Sequence, residues 1–153
     1  VDIRRAGPDD WEQYRDIRLA ALAEAPYAFG STLAREQPFT ETQWRDRLSR
    51  GATFLGYLSG TACALASGTS SHELVSVWAA PSARGTGLAA AVVEAVLAWA
   101  APSPMTMWVA EDNTAAIRFY VRLGFSFTGD RAPLPSDPSR HELSMRRSPP
   151  ASS

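Results

Sequence analysis

The 153-residue sequence has no lysine, and all 15 of its basic residues are arginine. A Walker A loop needs a lysine to reach its phosphates, and pyridoxal or aldolase chemistry needs a lysine amine for its Schiff base, so both classes are excluded. Cysteine is nearly as scarce. The single Cys63 cannot close an internal disulfide or build a cysteine-rich zinc site, and His72 and His141 are too few for a histidine cluster. No metal is expected, and Cys63, among Ala62, Ala64 and Leu65, reads as a small buried hydrophobe. A long hydrophobic run is missing too. The longest apolar stretch, residues 88–101, is broken by Glu94 and too short for a bilayer, and residues 1–5 have no leader pattern. A cytoplasmic protein without a membrane partner is expected, and the arginine-only, alanine-rich usage suggests a GC-rich bacterial genome. Nor does one sign of charge dominate: 15 basic against 16 acidic residues leave a net charge of -1, without the basic footprint of a nucleic-acid binder.

What is present is material for a core, with 45% hydrophobic and 10% aromatic residues. At about 150 residues per domain this implies one globular domain, taken as residues 1–147, with a disordered tail over 148–153. Residues 1–5 read as a strand, and Pro8-Asp9-Asp10 as the start of an amphipathic helix running to Glu24 and ended by Pro26. Residues 25–38, with Pro26, Gly30 and Pro38, read as a loop carrying Tyr27 and Phe29, and a second helix covers 41–49. Residues 53–58 and 62–66 flank Ser59-Gly60-Thr61 as an antiparallel hairpin. A strand over 73–79, a glycine-rich loop over 82–89, a helix over 88–100 and a strand over 105–109 form a crossover unit whose two strands must be parallel. A short helix after Asn113, capped by Gly124, leads to a closing hairpin of 125–128 and 142–146 across a long proline-rich loop.

Arg84-Gly85-Thr86-Gly87-Leu88-Ala89 lies between a strand and a helix. Glycines there let an anion approach the main chain while the unpaired amides and dipole of the helix point at it, and Arg84 adds charge-assisted bonds. A diphosphate is the natural ligand, although two glycines also make an ordinary tight turn. Gly85-x-Gly87-x-x-Ala90 fits a dinucleotide fingerprint as well, with Glu111 as a ribose acid, which keeps an NAD-dependent oxidoreductase as an alternative. Against it, Pro81-Ser82-Ala83-Arg84 separates strand from glycines, and too little chain follows Glu111 for a second half-sheet.

A second motif follows: Asn113, Ala116, Phe119, Tyr120, Gly124 and Phe125. Together the two motifs resemble the GCN5-related N-acetyltransferase family, whose acetyl-CoA loop (Arg or Gln, x, x, Gly, x, Gly or Ala) is filled by Arg84, Gly87 and Ala89. The resemblance implies a mixed α/β fold. Its central sheet is mostly antiparallel with one splayed parallel strand pair, flanked by about four helices. It also implies acetyl-CoA as cosubstrate, with the pantetheine arm entering between the splayed strands. Main-chain groups of Val77, Trp78 and Ala79 would bond the arm and hold the thioester oxygen, and residues 84–89 would take the pyrophosphate. Asn113 and Ala116 would border the arm, although Asn113 is also a plain helix cap. Thr86 stands where the family often has a cation, so Arg118 or Arg122 is a candidate for the 3′-phosphate.

The implied reaction is direct attack of a primary amine on the thioester. It needs an acid for the departing thiolate and a base for the ammonium proton. Tyr120 is the acid candidate, because a phenol with pKa near 10 stays protonated at neutral pH; a core aromatic is the simpler reading. Glu73, where the strand faces the acceptor side, is the base candidate, with Asp137 and Glu36 as weaker ones. His72 and His141 each sit beside an acid on a probable strand edge. Tyr27, Phe29, Glu73 and Trp44, with the loop over 131–140, are expected to form the acceptor site. A small amine, such as a metabolite or antibiotic, is favoured over a peptide end or lysine. A non-catalytic acyl-CoA-binding module is the other alternative, and the chain is expected to be a monomer or homodimer.

Overall fold

The computed structural model describes residues 2–149, so Val1 and residues 150–153 of the expected tail lie outside the described residues. Ser148 and Pro149 have no regular structure. The first sheet is fully antiparallel, in the order β1 (Asp2–Ala6), β2 (Ala52–Leu58), β3 (Thr61–Gly68) and β4 (Leu74–Ala79). Ser59 and Gly60, at φ 49° and 79°, form the two-residue turn between β2 and β3, whose handedness matches the strand twist.

One face of this sheet is covered by α4 (Leu88–Ala100). A Cβ at Gly56 would stand 2.8 Å from Leu88 Cγ, and one at Gly68 2.8 Å from Trp99 Cζ3, so both glycines are needed for the helix to lie so close. The other face carries α1 (Trp11–Glu24) and α3 (Glu41–Leu48), packed on Leu55 and Leu65. Trp44 is fully buried there, edge-on to Tyr14 at 5.7 Å and Phe39 at 5.3 Å. It is a core residue, which corrects its expected place in the acceptor site.

The second sheet is also antiparallel, with the order β5 (Met105–Ala110), β7 (Asp137–Arg147), β6 (Ser126–Leu134), and α5 (Thr114–Arg122) lies between β5 and β6 in the chain. The sheets meet through β4 and β5, which run parallel and touch at one point, the bridge between Glu73 and Thr106, where the Thr106 N–H donates to the His72 carbonyl at 3.1 Å. This is the splayed pair. The doubly wound parallel sheet of a dinucleotide enzyme is absent from the described residues.

Two stretches differ from the sequence-based expectation. Residues 25–38 hold a 3-10 turn (Pro26–Ala28) and α2 (Leu33–Glu36), because Thr32 caps the Arg35 N–H and Glu36 is drawn inward by arginines. Residues 131–140 are largely strand, reversing at Pro135 and Ser136. Pro133 is tolerated because β6 is an edge strand, and the register slips beside it. Among the described residues no helix is long and apolar enough to cross a membrane.

Candidate active site

The site is built around an irregularity in β4. Leu65 pairs with Trp78 and Ser67 with Val75, so Ala66 of β3 faces two residues of β4, and Ser76 sits at φ 59°, where a non-glycine residue is strained. Arg18 holds it there. Its Nη1 donates to Ser76 Oγ at 2.7 Å, while its Nε and Nη2 grip both carboxylate oxygens of Glu36 at 3.0 Å. Arg47 adds a third bond to Glu36 at 2.7 Å. Burial alone would raise the Glu36 carboxyl, but the hydrogen bonds from Arg18 and the charges of Arg18 and Arg47 prevail and hold it at about 2. Glu36 is therefore a fixed, fully buried ion, and the expectation that it could serve as a base is corrected.

Beyond the bridge at Glu73, β4 and β5 enclose a cleft of about 380 Å³ lined by Glu73, Ser76 and Val77 from one side and by Asn113, Ala116 and Tyr120 from the other. Trp78 and Ala79 continue the β4 edge toward the glycine loop, with the Trp78 indole turned into the core. β4 and β5 each pair with a neighbour on one side only, so their facing edges leave main-chain donors and acceptors for an extended ligand. Tyr120 is 8% exposed, edge-on to Phe119 and Phe125, and its hydroxyl has no hydrogen-bond partner among the described residues. Burial pushes its phenol upward, so it stays a proton donor. Asn113 caps α5, its Oδ1 accepting the Ala116 N–H at 3.1 Å, and still borders the cleft.

Two carboxylates share the cleft wall. Glu142, on β7 opposite Ala110, joins Glu73, and burial followed by the Glu73 charge raises the Glu142 carboxyl. Nothing local in the sequence marks Glu142. It is brought there by the pairing of β7 with β5, which no short motif encodes. Asp137, the other base candidate, is occupied by Ser139, whose hydroxyl donates at 2.6 Å and whose N–H donates at 3.2 Å; together they lower its carboxyl. It does not line the cleft. His72 supplies a carbonyl to β5 and His141 one to Glu111, and neither ring reaches the cleft. Phe29 is buried at the cleft wall with the Arg18 guanidinium 4.7 Å from its ring centre; the Tyr27 side chain lies outside the described residues.

At the far end, Gly85 and Gly87 have φ of 81° and 83°, and a Cβ built on either meets nothing within 4 Å. The amides of Gly85, Gly87, Ala89 and Ala90 have no acceptor among the described residues and leave an open cradle at the start of α4. Thr86 Oγ1 instead accepts the Leu88 N–H at 3.3 Å and donates to the Ala83 carbonyl, while the Leu88 side chain is core. Arg84, expected to bond phosphate oxygens, has a carboxylate partner within the fold. It is bonded at 2.7 Å to Glu24, whose other oxygen accepts the Trp78 Nε1–H at 2.7 Å, and the Trp78 and Arg84 bonds lower the Glu24 carboxyl. Arg118 and Arg122 stand exposed on α5 with no carboxylate partner among the described residues. Cys63 is buried, with Sγ 3.0 Å from the Thr61 carbonyl, and no group of side chains able to hold a metal ion occurs among the described residues.

A splayed strand pair, an open glycine cradle and a buried tyrosine at the cleft define an acyltransferase-type fold and site. The family model of the acetyltransferase (GNAT) family matches residues 11–125, and the chain belongs to that family, whose cosubstrate is acetyl-CoA. A search of curated proteins finds no match. Among solved structures, the fold is similar to a ribosomal-protein-alanine N-acetyltransferase from Brucella melitensis, at 19% identity and TM-score 0.71 over 97% of this chain and 100% of that one. It is also similar to a GCN5-related N-acetyltransferase from Kribbella flavida, at 21% identity and TM-score 0.72 over 97% of each chain. A third similar structure is yncA from Salmonella typhimurium, solved with its cofactor acetyl-CoA, at 16% identity and TM-score 0.71 over 99% of this chain and 95% of that one.

Proposed function

We propose that this protein, as a single domain over residues 1–147, transfers the acetyl group of acetyl-CoA to a primary amine of a small acceptor by direct attack, in the cytoplasm where acetyl-CoA is made and used. The observation that carries this reading is the cleft itself: β4 and β5 part beyond Glu73, and Tyr120, Glu73 and Glu142 line the gap. Acetyl-CoA supplies the activated acetyl thioester. The open cradle at Gly85, Gly87, Ala89 and Ala90 fits its pyrophosphate, with Arg84 competing between Glu24 and a phosphate. The cleft-facing edge of β4 offers main-chain groups of Val77 and Ala79 to the arm and to the oxygen that gains charge during attack, while Trp78 between them turns its main chain to Leu65 of β3. Asn113 and Ala116 flank the arm from α5.

Tyr120 holds the proton that meets the departing thiolate, and its raised pKa keeps that proton in place at neutral pH. Glu73 takes the ammonium proton, and Glu142 stands beside it on the cleft wall. Phe29 borders the acceptor side. The test is thiol release from acetyl-CoA across polyamines, amino acids, amine antibiotics and short peptides, followed by mass spectrometry of any product. An acetylated amine above hydrolysis is the expected result. Tight acetyl-CoA binding with no acetylated product from any class would reduce the protein to an acyl-CoA-binding module.

A further inference from the structure

The pairing registers sort the cleft residues onto two faces. Glu73 stands beside Thr106, Ser144 opposite Trp108 and Glu142 opposite Ala110, so strand alternation puts Glu73, Trp108 and Glu142 on one face of the joined sheets. Tyr120 reaches the same cleft from the other face, where it clusters with Met107 and Val109. It is 8% exposed, and its hydroxyl has no hydrogen-bond partner among the described residues, so the cleft is built to receive a ligand from both faces.

The charge on the first face is one-sided. Among the described residues no lysine, arginine or histidine side chain lines the cleft. The arginines of the adjoining elements are each matched by an acid: Arg131 bonds Glu111 at 2.9 Å, Arg140 bonds Asp112 at 2.7 Å, and Arg18, behind Ser76, grips Glu36. Burial, and then the Glu73 charge, raise the Glu142 carboxyl, as expected where two acids share a wall without a cation. Trp108, 37% exposed, lies between the two acidic positions along β5, and the face of an indole attracts a cation. Thr106 and Ala110, which mark those positions, are four residues apart, about 13 Å along a strand, so the acidic face is extended and not a single point.

We propose that the acceptor carries a second positive charge, as a diamine, polyamine or aminoglycoside does: one nitrogen is acetylated while another, still an ammonium, is held by Glu142 and Trp108. This rests on the acetyl-transfer reading above. The reacting ammonium gives one proton to Glu73, which passes it to solvent, and the freed amine attacks the acetyl carbon. As the C–S bond breaks, Tyr120 protonates the thiolate, and the proton shed by the new amide nitrogen restores Tyr120. The second nitrogen keeps its proton throughout. An amino acid fits poorly, because its carboxylate would enter a cleft that already holds two.

The test compares putrescine, butylamine and γ-aminobutyrate, which share a chain length and end in a cation, a methyl group and a carboxylate. Spermidine and an aminoglycoside show whether a linear or a ring-borne dication fits better. Each compound is assayed by thiol release from acetyl-CoA and by calorimetric binding in the presence of CoA. The expected kcat/KM is at least about tenfold higher for putrescine than for butylamine, the size of one charge-assisted hydrogen bond, with γ-aminobutyrate lowest. Glu142→Gln should shrink that preference, chiefly through KM for putrescine, and Glu142→Asp should restore part of it. Equal use of butylamine, a preference for γ-aminobutyrate, or a putrescine preference that survives Glu142→Gln overturns the proposal and leaves acetyl transfer standing. If nothing is acetylated, calorimetry decides. Binding of putrescine, spermidine or the aminoglycoside that is lost in Glu142→Gln supports the cation site and removes the transfer reading, whereas no binding, or binding that survives the substitution, removes the proposal.

Discussion

Glu36 and Glu142 lie on opposite sides of the same strained strand, and their surroundings drive their carboxyls in opposite directions. Glu36 is the more deeply buried, yet two arginines hold it ionised at about 2; Glu142 is less buried, but beside Glu73 it is raised. Burial raises both, and the sign of the nearest charge decides the outcome. The arginine side of β4 is thus an anchor held ionised at neutrality, and on the cleft side the Glu142 carboxyl holds its proton to higher pH than an ordinary glutamate.

The largest expected effect tests the cleft. Tyr120→Phe should lower turnover about 10²–10⁴-fold, the usual contribution of a positioned acid, with acetyl-CoA affinity and unfolding midpoint almost unchanged, because the hydroxyl bonds nothing in the fold. Equal losses in turnover and stability would instead make Tyr120 a packing residue. Next comes the anchor. Glu36→Ala leaves Arg18 and Arg47 without their counter-ion and should cost about 3–5 kcal/mol of stability in denaturant unfolding. Since the folded carboxyl lies below its usual 4.5, the wild-type stability it provides is present above about pH 4.5 and lost as pH falls toward about 2. A stability profile over that window that is as steep in Glu36→Gln as in the wild type would break the contrast.

The smallest effect concerns Glu142. A carboxyl raised in the folded state favours folding below its unfolded pKa and disfavours it as pH rises through the folded value. Glu142→Gln should therefore raise the melting temperature slightly at pH 7 and not at pH 4, and Glu73→Gln should remove the acid limb of the kcat/KM profile if Glu73 is the base. An acid limb that stays in place in both Glu142→Gln and Glu73→Gln would take the pair out of the reaction.

The elements with strong local signals were legible. The apolar run of α4 appears at residues 88–100 as expected, the Ser59-Gly60 turn joins β2 and β3, and Gly124, at φ 94°, follows α5. Asn113 also caps α5 by a bond the sequence pattern suggests. Residues 131–140 misled because Pro133 and Pro138 signal a loop, whereas edge pairing and slipped register absorb them into strands. Trp44 and Glu36 misled because an aromatic and a carboxylate near a proline-rich segment look like surface features, and only the packing of α1 on α3 buries them.

By itself the sequence determined the motifs that stand close together along the chain: the glycine loop and the strand and helix around it, and the Asn113 to Phe125 segment. It also excluded lysine chemistry, an internal disulfide and a cysteine-rich zinc site, since the sequence has no lysine and a single cysteine. Tertiary structure alone decided that Arg84 is paired with Glu24, that Glu36 is an anchor, and that Glu142 joins Glu73. Those are pairings between residues 11 to 69 positions apart, set by strand register and helix docking, and the charge facing a group after folding is not written in its neighbours along the chain.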